Sequence, residues 1–186
     1  MGLFNEIGKV YQVYGYKLFV YPLACAFLCG VVWALLVNKM PEIFAFLLLC
    51  FLFGLSLYLI GMLFGFNKLI WYSLISCVIL IGCYLISIAY GLYSGSYFLP
   101  VAFGNILFAC SFFVLDRLLI KMDLNFNLFL PYLAAAILSL LTFYIFTYLD
   151  WKKETSWFYL VAYPIVIYFY LQANTINRLM FNFKNP

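Results

Sequence analysis

Acid–base, nucleophilic and metal chemistry all need titratable side chains gathered at one place. The 186-residue sequence supplies few of them. It has no histidine, six acidic residues and six cysteines. Glu6, Glu42, Asp116, Asp123, Asp150 and Glu154 all fall at or beyond the ends of apolar runs, and no two share a helix face at one depth. Cys25, Cys29, Cys50, Cys77, Cys83 and Cys110 lie inside the apolar runs, and no pair is spaced CxxC. Cys25 and Cys29 share a helix face, but without histidine or further thiolates at workable spacing no metal site is expected. The cysteines read instead as small, polarisable packing residues. No GxSxG, HExxH or phosphate loop occurs. The expectation is a non-enzymatic protein with no catalytic residue, cofactor or metal.

Three other groups of side chains could carry function. Asn105 and Ser111 are polar groups deep in apolar sequence, and Tyr144 with Tyr148, and Tyr159 with Tyr163, repeat at four-residue spacing. Together they are candidates for lining a pore or a ligand pocket, against the simpler expectation of interhelical hydrogen bonds and aromatic packing. Arg117, Lys121, Arg178 and Lys184 are cations expected on one side of the membrane, where they are candidates for docking a protein partner. Snorkelling at helix ends is the plainer alternative for Arg117 and Lys121. Small residues at helical spacing let helices approach closely: Ala26 with Gly30, and Gly54, Gly61 and Gly65. Gly65, with Asn67, also suits the left-handed backbone of the tight turn expected between the second and third apolar segments. Whether they join helices within the chain or between copies in a homo-oligomer stays open, with the intrachain contact favoured. Proton-coupled transport calls for an acid or histidine within the membrane, and none is centred in a span.

What must position these groups follows from composition. Apolar residues make up 69% of the chain, aromatics 23% and charged residues only 9%, against roughly 45–50% apolar and about 25% charged in soluble domains. That balance excludes a soluble globular domain, a disordered chain and a nucleic-acid module. About 20 apolar residues cross a hydrocarbon core of roughly 30 Å. Six such segments are expected, at 18–37, 43–66, 69–93, 101–120, 128–149 and 157–173. The last is the weakest, because its apolar stretch is short and Pro164 sits within it. Residues 1–17 alternate apolar and polar positions at helical period and read as an amphipathic interfacial helix. Residues 174–186 read as a cytoplasmic tail, with Ile176, Leu179, Met180 and Phe183 at a helical spacing that would let it continue the sixth helix into the cytoplasm as an amphipathic docking arm. The expected fold is thus an all-α polytopic membrane protein, a single six-helix transmembrane bundle with an N-terminal amphipathic helix.

Basic residues set the expected orientation. With six spans, Lys9, Lys17, Lys68, Arg117, Lys121, Arg178 and Lys184 fall on one side, and Lys39, Lys152 and Lys153 on the other. Both termini are therefore expected in the cytoplasm, with the chain in the inner membrane. The expected partners are the lipid bilayer, a protein on the cytoplasmic side and a second copy of the chain, and no nucleic acid. In size and paucity of charge the chain resembles membrane components of bacterial defence and immunity systems, which implies a non-enzymatic subunit coupled to a cytoplasmic partner. It is also similar in size to the substrate-binding membrane subunits of vitamin transporters, which implies the alternative, a small-molecule transporter or channel subunit.

Overall fold

The computed structural model describes residues 2–36, 39–66, 70–94, 98–120, 126–148 and 155–184. They form seven helices: α1 (Gly2–Tyr14), α2 (Lys17–Leu36), α3 (Glu42–Leu63), α4 (Ile70–Ser94), α5 (Phe98–Ile120), α6 (Phe126–Tyr148) and α7 (Thr155–Lys184). Five of them, α2 to α6, are long and apolar enough to cross a membrane. Their outward surface is a coat of large apolar side chains such as Phe27, Phe51, Val78, Ile106 and Leu141. That is the pattern of helices whose solvent is lipid.

Successive helices pack side by side from α2 to α7, and α7 closes the ring against α2. Short connections make such neighbours antiparallel. α1 folds back at Gly15, whose φ of 52° is the left-handed backbone of the turn. Its Val10 is buried with Leu18, Leu128, Leu179 and Met180, so α1 and the end of α7 lie at one end of the bundle. That end is called the terminal end below. The opposite end carries the α2–α3 and α4–α5 connections.

One expectation about the elements changes. Residues 174–184 are not a tail beyond the sixth apolar segment. They continue α7 without a break, and Asn174, Thr175, Asn177, Arg178, Leu179 and Met180 are all buried. Polar sequence there marks a helix surrounded by protein. Of the two roles expected for Gly65, helix contact and turn, the structure shows the turn. It lies past the end of α3 with φ 81°, its N–H donates to the Met62 carbonyl at 3.0 Å, and the Phe66 N–H donates to the Gly61 carbonyl at 2.6 Å. This double bond pattern is a Schellman cap, so Gly65 serves the turn, and a Cβ there would meet nothing within 4 Å.

The other small residues act at contacts. A Cβ on Gly30 would land on the ring of Pro164, and one on Gly54 would land on Cys77 Sγ and 2.8 Å from the Ser73 carbonyl oxygen. Ala26 is buried on the same helix as Gly30. Glycine at these positions sets the α2–α7 and α3–α4 approaches. The thiols join in: Cys29 Sγ and Ser56 Oγ are 3.1 Å apart across α2–α3, and Cys77 Sγ donates to the Cys50 carbonyl at 3.1 Å.

Gly30→Val puts branched carbon where the Pro164 ring lies. It should destabilise the bundle by about 1–3 kcal/mol through overpacking, read as a lower melting temperature in detergent. Gly8→Ala, with open space around it, should leave the melting temperature unchanged or raise it slightly.

Candidate functional site

α7 presents one continuous stripe to the middle of the bundle. Tyr163, Ile167, Tyr170, Asn174 and Arg178 recur every three or four residues, which places them on one face. The stripe changes character along its length, and so does what it faces.

Toward the end remote from the termini, the stripe borders a cavity of about 710 Å³ between α3, α4, α5, α6 and α7. Most of its lining is apolar or aromatic, including Phe46, Phe53, Tyr84, Phe143 and Val166, and among the described residues no charged side chain contributes. Its polar groups are few. Ser87 Oγ donates to the Cys83 carbonyl at 2.6 Å. Asn105 is held from two sides: the Tyr170 hydroxyl reaches its Oδ1 at 3.0 Å and its backbone oxygen at 3.1 Å, and its Nδ2 donates to the Val101 carbonyl at 2.9 Å. One amide hydrogen of Asn105 stays uncommitted. Ser139 also borders the cavity, and its buried Oγ has no hydrogen-bond partner. Buried polar atoms are nearly always paired, so this hydroxyl is the unexplained group of the cavity.

Aromatic rings form the layer next to it. Phe108 meets Tyr170 and Phe112 edge to face, each at 4.6 Å between centroids, and Phe53 at 5.8 Å. Phe112 in turn lies 5.9 Å from the ring of Tyr132 and 6.1 Å from that of Tyr72. Edge-to-face packing of this kind adds to plain burial.

Beyond the aromatic layer, toward the terminal end, four helices converge on one carboxylate. Asp116 on α5 is 2% exposed. Tyr72 on α4 donates to its Oδ1 at 2.7 Å, and Tyr132 on α6 donates to its Oδ2 at 2.5 Å. Asn174 on α7 donates through Nδ2 to both phenol oxygens, at 2.6 and 2.9 Å. The result is a closed ring of hydrogen bonds. One turn along α7, the Arg178 guanidinium stacks 3.9 Å from the centroid of the Tyr72 ring. Tyr72 therefore bridges the two charges, with its hydroxyl on the carboxylate and its face under the cation. Cation–π contacts gain strength when desolvated. Arg178 Nε and Nη2 are buried without a hydrogen-bond partner.

The sequence-derived candidates scatter across this geometry. Asn105 and Tyr163 line the cavity. Ser111 does not; it sits 4.0 Å from Cys83 Sγ on the α4–α5 contact. Tyr144 is 57% exposed on the outer face of α6, so it belongs to the surface rather than to a pocket. The side chains of Tyr148 and Tyr159 lie outside the described residues. Of the four docking candidates, Arg117 is exposed, while Lys121 and the side chain of Lys184 lie outside the described residues. Arg178 is the clear departure: at 4% exposure it faces inward to a tyrosine ring and offers nothing to a surface partner. Asp116 was expected at a membrane boundary and is instead the centre of the buried ring. Its signal was its spacing, four residues after Phe112 and eight after Phe108, on the face that packs inward.

Asp116→Ala leaves two tyrosine hydroxyls without their acceptor and a buried cation without its nearby opposite charge. Breaking a buried charged network this way costs roughly 3–5 kcal/mol, so the variant should melt far below the wild type. The double change Asp116→Leu with Arg178→Met removes both charges at similar volume and should recover much of the loss. A double mutant as unstable as Asp116→Ala would show that the two charges are not coupled.

Comparison with known proteins returns no match, whether against family models, curated proteins or solved structures.

Proposed function

We propose that this chain is a non-enzymatic, multi-pass subunit of the cell membrane that binds an uncharged, largely apolar small molecule for transport. The observation that carries this reading is the 710 Å³ cavity within the helix bundle, bordered by Ser87, Asn105 and Ser139 in an otherwise apolar and aromatic lining. Small-molecule sites are commonly 300–1,000 Å³, mostly apolar, with a few placed polar groups. A charged ligand would find no counter-charge among the described residues of this lining. The unpaired Ser139 hydroxyl and the spare amide hydrogen of Asn105 suit a ligand with a carbonyl or hydroxyl group.

The reading treats α7 as a sixth crossing. Its 30 residues reach about 45 Å at 1.5 Å per residue. It packs between α2 and α6, which supports its running through the same depth as they do. The basic-residue tally supports both termini in the cytoplasm of an inner membrane, with the cavity in the outer half. Docking of a cytoplasmic partner has weaker support, because it counted on four converging cations and Arg178 points inward.

Ala162 is buried in the cavity wall, so Ala162→Trp should fill the space. Small molecules extracted from the purified wild type and analysed by mass spectrometry should include an uncharged species that Ala162→Trp loses, with the variant still inserted and monodisperse. Equal extracts from both proteins would sink the cavity reading.

Reporter fusions after positions 68, 121 and 186 should report cytoplasm, and fusions within 38–42 and 152–154 the outside. A fusion at 186 that reports the outside would remove α7 as a crossing.

A further inference from the structure

The ring around Asp116 has a donor count that suits one protonation state. With the carboxylate ionised, the two tyrosine hydroxyls donate to Oδ1 and Oδ2, and the two hydrogens of the Asn174 amide donate to the two phenol oxygens. Four donors meet four acceptors, each once, across α4, α5, α6 and α7. A proton added to one carboxylate oxygen turns that acceptor into a donor. The new acid O–H points at the phenol oxygen opposite, and the hydroxyl hydrogen of that tyrosine loses its acceptor. Five donors then share the ring, and one buried O–H is left unpaired, which is a costly state.

The charged and titratable groups facing the carboxylate among the described residues are Tyr72 on α4, Tyr132 on α6 and Arg178 on α7. Arg178 stacks on Tyr72 and leaves Nε and Nη2 unbonded. The hydrogen-bonded hold of α7 on α4 and α6 at this level therefore rests on the Asn174 amide, with Asn177 adding a bond from Nδ2 to the Leu128 carbonyl at 2.5 Å and the Arg178 stack on Tyr72 a contact without a hydrogen bond to the carboxylate. Asn174 is one turn from Tyr170, whose ring closes the cavity against Phe108.

We propose that Asp116 binds a proton, and that its protonation releases α7 from α4 and α6 and opens the aromatic floor of the cavity toward the terminal end. The step is a simple uptake: a proton from the aqueous phase joins a carboxylate oxygen, and no other bond is made or broken except hydrogen bonds. The proton site stands on the ring alone, and the opening of the floor rests on the cavity reading.

The test uses the full chain in lipid nanodiscs. Infrared difference spectra taken as the pH falls should show the carbonyl stretch of a protonated carboxylic acid growing in. That band should be absent in Asp116→Asn and shifted in Asp116→Glu. Over the same transition, segment 171–182 should lose about tenfold of its hydrogen-exchange protection after correction for intrinsic exchange. Asp116→Asn keeps one acceptor oxygen and places a donor at the other, as the protonated acid does. It should show the reduced protection at both ends of the titration. If Asp116→Asn does not insert, the shift in Asp116→Glu carries the assignment. A wild-type spectrum with no carboxylic band assignable to Asp116 overturns the proton site. A band that titrates while exchange over 171–182 stays fixed overturns the release of α7. Failure of the cavity reading shows separately: the band then titrates in the wild type and in Ala162→Trp, and neither protein yields a bound small molecule.

Discussion

A carboxylate buried in a helix bundle must take all its partners from protein. Around Asp116 those partners are Tyr72 and Tyr132 on two other helices, and Asn174 on a third ties the two phenols together. This fixes more than one side chain. The two tyrosines and Asn174 can close a ring on one carboxylate only if α4, α6 and α7 stand at set depths and rotations about α5. Apolar packing alone is forgiving of small slides between helices, because lipid tails compete with side chains on nearly equal terms. Hydrogen bonds at 2.5–2.9 Å are not forgiving. The ring thus sets the register of four helices, and the aromatic layer and the cavity inherit their positions from it.

The two halves of the bundle follow different physics as a result. The half at the terminal end is closed by polar contacts that leave little room. In the other half, volume is missing between five helices, and among the described residues Ser87, Asn105 and Ser139 break the apolar lining apart from tyrosines. Tyr170 belongs to both. Its ring packs on Phe108, and its hydroxyl holds Asn105, the polar group deepest in the apolar sequence of α5. A change at the ring reaches the cavity through a single turn of α7.

Much of this fold was legible in the sequence, because lipid imposes a simple rule on helix exteriors. Apolar runs place α2 to α6 within three residues of their observed bounds, with the largest shifts at α3, which ends at Leu63 rather than 66, and at α5, which begins at Phe98 rather than 101. The site was mostly illegible, for two physical reasons. Polarity in a membrane chain signals either water or the interior of the bundle, and periodicity does not say which. Asp116 and Arg178 were read as facing water, and both face protein. The cavity is also invisible in sequence. It is an absence of side-chain volume among residues such as Ala162 and Gly104, and such residues read equally well as close-packing sites. Asn105 could be singled out because a lone amide in an apolar run has few explanations. Tyr144 could not be told from Tyr163 by type or spacing, since only the rotation of each helix separates the lipid-facing ring from the cavity-facing one.

The polarity of α7 has a consequence for how the protein is made. Asn174, Thr175, Asn177 and Arg178 sit within one turn and a half of helix, and such residues resist entering lipid unaided. α7 follows α2 to α6 in the chain, and the hydrogen-bond partners of the Tyr170, Asn174 and Asn177 side chains lie on those helices. Docking of the last helix therefore depends on a surface assembled by the earlier ones, with Tyr72 and Tyr132 already in place to receive it. Tertiary packing is what shelters the polar side chains of this helix.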